Sequence, residues 1–97
     1  MDKVTPQAVR EAIINCFYNA HCADTGLNND EAVGRSYCTS IVKKAFVDQG
    51  VDFEHPTKEG ILKVVGTLAE FSKNFRSQEI IEQHKQEIMD LVNKMTE

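Results

Sequence analysis

Apolar residues recur at intervals of three and four positions along most of this 97-residue chain, and that spacing is its most constraining feature. The interval matches the repeat of an α-helix, in which such residues line one face. No stretch of useful length shows the alternation of apolar and polar residues that is typical of a β-strand. The chain is therefore predicted to be all-α.

Capping residues mark the ends of the predicted helices. Thr5 followed by Pro6 is typical of a helix start, because the hydroxyl accepts a backbone hydrogen bond there and proline fits the first helical position. Gly50 indicates the end of a second helix, and Thr57 is predicted to begin a third. Together these signals place four helices at residues 6–24, 29–49, 57–74 and 77–95.

Short connections between successive helices favour antiparallel neighbours, so we predict an up-and-down four-helix bundle that forms one domain over residues 1–97. The weakest boundary lies between the third and fourth helices, since neither glycine nor proline enforces a break near Asn74 and Ser77. Without a break, the two segments form one continuous helix that is too long for the rest of the chain to cover. The alternative architecture is therefore an intertwined dimer.

The composition argues against several classes of protein. With 41% hydrophobic residues and a formal net charge of −4, the chain is not expected to be disordered or to bind nucleic acid. It has no apolar stretch long enough to span a membrane, and its first residues lack the basic and apolar segments of a secretory signal. We therefore expect a cytoplasmic protein.

No motif for phosphate binding, dinucleotide binding or catalytic zinc occurs in the sequence. His84 lies on the apolar face of the fourth helix, where a histidine packs at the edge of the core more often than it binds a metal or acts as a base. We therefore expect no enzymatic activity and no cofactor. The sequence identifies no small-molecule ligand.

Three cysteines form the candidate redox or metal site. Cys16 and Cys38 are predicted to lie at the same level of the hairpin made by the first two helices, and His21 and Cys22 are further candidate ligands. This arrangement predicts a metal- or redox-linked regulatory protein as one alternative function. The other interpretation is that Cys16 and Cys38 are small core residues, which the absence of a Cys-X-X-Cys spacing favours.

The first helix carries apolar residues on two sides. At 100° per residue, Ile14 and Tyr18 point away from the centre of the side that is formed by Ile13, Cys16, Phe17 and Ala20. A helix that is apolar nearly all round lies at the centre of a core or has its outer side covered by another chain. Phe46 and Val47 also lie off the main apolar stripe of the second helix. The predicted partner-binding residues are therefore Ile14, Tyr18, Arg10, Glu11, Phe46 and Val47.

These residues predict a small helical module that binds another protein, a second copy of itself in particular, with Tyr18 as the aromatic anchor. The competing interpretation is irregular packing, in which a loop or Phe53 covers Ile14. A weaker alternative is a nucleic-acid-binding regulator, in which dimerisation gathers scattered basic residues on one face. Those basic residues are Lys43, Lys44, Lys73 and Arg76.

Overall fold

The computed structural model describes residues 4–25, 31–67, 70, 72–73, 75–76 and 78–95. Within them the chain forms an isolated β-bridge between Val4 and Met95 but no strand, which confirms the predicted all-α class. None of the described helices is both long enough and apolar enough to cross a membrane. The helices are α1 (Pro6–Thr25), α2 (Glu31–Asp48), α3 (Lys58–Val65) and α4 (Gln78–Lys94).

Capping side chains and a glycine define three of the helix ends. Thr5 Oγ1 accepts a hydrogen bond from the Ala8 N–H at 3.2 Å, and Thr57 Oγ1 accepts one from the Gly60 N–H at 3.0 Å. Gly50 follows α2 with a φ of 69°, a left-handed conformation that glycine adopts without a steric penalty. The predicted starts at Thr5 and Thr57 and the predicted end at Gly50 are therefore confirmed.

Helix α1 lies at the centre of the bundle, where it packs along α2 and α4 and also contacts α3. Contacts at both of its ends make it antiparallel to α4. Val4 bridges Met95 at one end, and Asp24 Oδ2 accepts a hydrogen bond from the Arg76 N–H at 2.8 Å at the other. This arrangement confirms the predicted antiparallel four-helix bundle.

The third helix is shorter than predicted, since it ends at Val65 and not at residue 74. The Gly66 N–H still donates to the Leu62 carbonyl at 3.1 Å, in helical spacing. The N–H and the hydroxyl of Thr67 then both donate to the Val64 carbonyl, at 2.9 Å and 2.7 Å. A side chain that donates a hydrogen bond to the carbonyl three residues earlier in this way tightens the last turn and competes with continuation of the helix.

The connection between α3 and α4 folds back onto α1. Phe75 is buried there, and its ring stacks on Phe17 with the two ring centroids 5.2 Å apart. Since α3 and α4 are separated by this anchored connection, the continuous helix of the intertwined-dimer alternative is wrong. The break predicted at Asn74 and the cap predicted at Ser77 lie outside the described residues.

Candidate functional site

The outer side of α1 is covered by the chain itself. Ile14 is 5% exposed and belongs to the same core as Ile13 and Phe17, which lie about 100° and about 60° from it around the helix. Because α1 packs against α2, α3 and α4, its two apolar sides face different neighbours within one chain. The prediction that Ile14 contacts another protein is therefore wrong, and α1 is the central helix of a core.

Tyr18 is held by α2. The Arg35 guanidinium lies over the Tyr18 ring, 4.7 Å from its centroid, and also donates a hydrogen bond to Asn15 Oδ1 at 2.7 Å. Gly34 faces the ring so closely that a Cβ there would lie 2.9 Å from Tyr18 Cε1. Tyr18 is therefore half-buried between α1 and α2, and its surroundings do not favour the predicted role as an anchor for a partner.

Arg10 binds the loop that follows α2 and does not form the rim of a partner surface. Its Nη1 donates to the Phe53 carbonyl at 2.7 Å, and its guanidinium lies 5.0 Å from the centroid of the Phe53 ring. The Phe53 ring in turn meets Phe46 edge to face, with centroids 5.3 Å apart. Phe46 is fully buried as a result, so its predicted contact with a partner is also wrong.

Two of the six predicted partner-binding residues are exposed, and Arg10 and Tyr18 are half-buried. Glu11 is exposed on α1, and Val47 is 64% exposed on α2. Single exposed apolar residues are normal on protein surfaces and do not by themselves indicate an interface. The six residues therefore do not assemble into the predicted partner surface.

The candidate metal ligands are also dispersed. Across the described residues, no three or more His, Cys, Asp or Glu side chains are placed to hold a metal ion. All three cysteines are thiols; Glu87 of α4 lies near Cys16, whereas Cys22 and Arg35 lie near Cys38. His21 lies against the Tyr37 ring, with centroids 5.1 Å apart. These surroundings do not favour the predicted pair of Cys16 and Cys38.

Burial makes Cys16 and Cys38 poor nucleophiles. Burial raises the pKa of the Cys16 thiol to about 11, and the negative charge of Glu87 adds to this effect. Burial also raises the pKa of the Cys38 thiol to about 11, with Cys22 adding to the effect and Arg35 opposing it. Since the thiolate is the reactive form, both groups are inert at neutral pH and pack as small core residues.

A cavity of about 170 Å³ lies between α1 and α4 and brings Cys16 together with His84 and Glu87. His84 Nδ1 lies 3.2 Å from Glu87 Oε2, one turn along α4. These are the residue types of a cysteine nucleophile with a base and an orienting carboxylate. Burial and the negative charge of Glu87 nevertheless raise the pKa of the Cys16 thiol, which does not favour an activated nucleophile in this cavity.

Two of the four basic residues named for a nucleic-acid surface are engaged with acidic neighbours. Lys44 Nζ lies 3.2 Å from Asp48 Oδ2, and Lys73 Nζ lies 3.5 Å from Glu70 Oε2. Each of these exposed pairs reduces the local positive charge that attracts a phosphate backbone. The arrangement therefore does not favour nucleic-acid binding.

A larger groove, of about 350 Å³, lies between α3 and α4. These two helices make no extended contact within the described part of the chain. Helix α3 has 8 residues and spans about 12 Å, so it cannot follow α4 along its full length. The apolar lining is Leu62, Val65, Ile81, Ile88 and Met89, and the charged lining is Glu82 and Lys85.

The sequence does not reveal this groove by itself, because the apolar residues of the third helix cover a broad arc of its surface. Leu62 lies about 160° around the helix from Val64. Leu62 is 45% exposed, whereas Val64 is fully buried. The available signal was an apolar residue out of phase with the buried stripe, the same signal that drew attention to Ile14.

The sequence matches no protein-family model, and no curated protein or solved structure is detectably similar to the chain. The groove between α3 and α4 is the candidate functional site, since it combines an apolar lining, in which Leu62 is exposed, with charged residues.

Proposed function

We propose that this chain is a protein-interaction module that binds an apolar helical segment of another polypeptide in the groove between α3 and α4. The observation that carries the proposal is the groove itself, an apolar depression of about 350 Å³ with Leu62 exposed at its edge. Exposed apolar surface of this kind, bordered by charged residues, is typical of protein-binding sites.

The geometry of α4 favours a helical occupant. Ile81, Lys85 and Ile88 line the groove at intervals of four and three residues, and Met89 follows Lys85 by four, so the groove extends along the helix for about two turns. An amphipathic helix places its own apolar side chains at the same spacing and fits such a groove. Met89 adds an unbranched, flexible side chain that adapts to the shape of a partner.

The proposed module has no catalytic activity of its own and acts in the cytoplasm. The protonated state of the buried Cys16 and Cys38 thiols at neutral pH supports a binding role over nucleophilic catalysis. The three cysteines are thiols, which is the usual state in the reducing cytoplasm.

The test is a selection of helix-forming peptides of about 15 residues, displayed on phage, against the folded chain. We expect the selected peptides to lose at least about tenfold in affinity for Leu62→Glu, because the charge enters the apolar groove. Val47→Glu is the matched control, since Val47 is an exposed apolar residue on α2 outside the groove. Peptide-induced amide shifts in NMR spectra should map to Ile81 and Met89.

Two results contradict the proposal. One is a selection that yields no peptide with apolar residues at helical spacing. The other is a set of peptides that bind Leu62→Glu as tightly as the wild type, because such peptides occupy another surface.

A further inference from the structure

The charged residues of the groove have a pattern of their own. Glu82 and Lys85 lie one turn apart on the same side of α4, and both are exposed. Neither forms an ion pair or a hydrogen bond with any other residue in the described ranges. The groove therefore presents one acidic and one basic group, each available to a group of opposite sign.

We propose that the polypeptide bound in the groove is a second copy of this chain. The two α4 helices pack antiparallel about a two-fold axis, with Glu82 of each copy facing Lys85 of the other. This inference rests on the proposed function and names its partner.

Two-fold symmetry explains why charges of both signs occur together. In a two-fold interface the same patch meets itself, so the patch must be complementary to its own rotated image. Antiparallel packing reverses the order of residues along the helix, which brings Glu82 opposite Lys85 and Lys85 opposite Glu82. A patch of one sign would repel its own copy, and it would instead favour a partner of opposite charge.

Leu62 fits the same arrangement. It lines the groove of its own chain and is 45% exposed, so it extends the apolar surface that a second copy covers. Together with Met89, it supplies an apolar contact beside the charged pair. A contact of this type has the charged pairs beside the two-fold axis and apolar contacts on either side of them.

The test measures the oligomeric state of the full chain by sedimentation equilibrium from about 5 to about 500 µM. We expect the wild type to form dimers. We expect Glu82→Lys and Lys85→Glu each to weaken dimerisation by about tenfold, since each change replaces two attractive pairs with two repulsive ones. An equimolar mixture of the two variants, and the double variant, should both recover the wild-type affinity.

Asp90→Lys is the matched control, since it changes an exposed acidic residue of α4 outside the groove. All these positions are exposed, so circular dichroism should show unchanged folding in each variant. A wild type that stays monomeric overturns the second-copy proposal, and so does a dimer that the charge reversals leave unchanged. A monomer that still binds selected peptides in the groove leaves the proposed function intact, whereas a monomer without peptide binding overturns both.

Discussion

Replacing Arg10 with methionine removes the side chain that connects α1 to the loop after α2 and keeps an unbranched apolar stem. Arg10 Nη1 donates to the Phe53 carbonyl at 2.7 Å and reaches the Glu54 carbonyl at 3.4 Å. The guanidinium also lies over the Phe53 ring. Glu11→Met is the matched control, because Glu11 is the next residue of α1 and is exposed.

The expected loss of stability follows from three contributions. A hydrogen bond from a charged donor contributes about 1.5–3 kcal/mol, and the lower end applies because Arg10 is half-buried. The contact with the Phe53 ring contributes about 0.5–1 kcal/mol. Arg10 Nε is buried and has no hydrogen-bond partner among the described residues, so its removal recovers about 1 kcal/mol. The net destabilisation is about 1–1.5 kcal/mol, or about 5–10 °C in Tm for a chain of this size.

Urea and thermal denaturation, followed by far-ultraviolet circular dichroism, measure this difference. We expect Glu11→Met to remain within about 0.5 kcal/mol of the wild type. A double-mutant cycle of Arg10→Met with Phe53→Leu should give a coupling energy of about 0.5–1 kcal/mol for the ring contact. Unchanged stability in Arg10→Met, with no coupling to Phe53, would refute the reasoning.

Three further predictions concern the core and the loop. Gly60→Ala should destabilise the chain by about 1–3 kcal/mol, because the new Cβ would lie 2.7 Å from Val51 Cγ1. Adding Val51→Ala should recover part of this loss. A Gly60→Ala variant that is more stable than the wild type would contradict the close contact between Gly60 and Val51. Ile14→Asp should lower the free energy of unfolding by more than about 3 kcal/mol in denaturant titrations, since it buries a charge. If this variant is as stable as the wild type, this side of α1 is open to solvent. The thiols of Cys16 and Cys38 should make the free energy of unfolding fall as the pH rises from about 9 to about 11, because the thiols ionise at a lower pH in the unfolded chain than in the folded one. Below about pH 9 these two thiols should not change the free energy of unfolding. Replacing both cysteines with alanine should remove the fall in the free energy of unfolding between about pH 9 and about pH 11 in denaturant titrations. If this fall is unchanged in the double variant, the two thiols do not cause it.

Local signals in the sequence predicted where most helices begin and end. Thr5 and Thr57 accept backbone hydrogen bonds from residues three positions ahead, as their side chains and positions indicated. Gly50 adopts the left-handed conformation that ends α2. Such signals can be predicted from the sequence because they depend on residues within one helical turn.

The end of α3 depends on contacts beyond its own turn. Periodicity alone extended the third helix to residue 74, whereas the helix ends at Val65. Phe75 packs on Phe17, and the Arg76 N–H bonds to Asp24, so α1 holds the connection in place. Because Phe17 and Asp24 are distant in sequence from the third helix, the local sequence pattern of that helix does not show these contacts.

For the candidate site as well, the sequence and the tertiary structure each determine a different part of the result. The sequence by itself determined that Ile14 and Leu62 are out of phase with the buried faces of their helices, because a helical repeat fixes the angle between side chains. Only the tertiary structure decided that Ile14 is buried and Leu62 is exposed. Helix α1 has neighbours on several sides, whereas the short α3 leaves a gap beside α4. Burial of an apolar residue depends on where the neighbouring helices lie, and the position of those helices is not encoded in the phase of one helix.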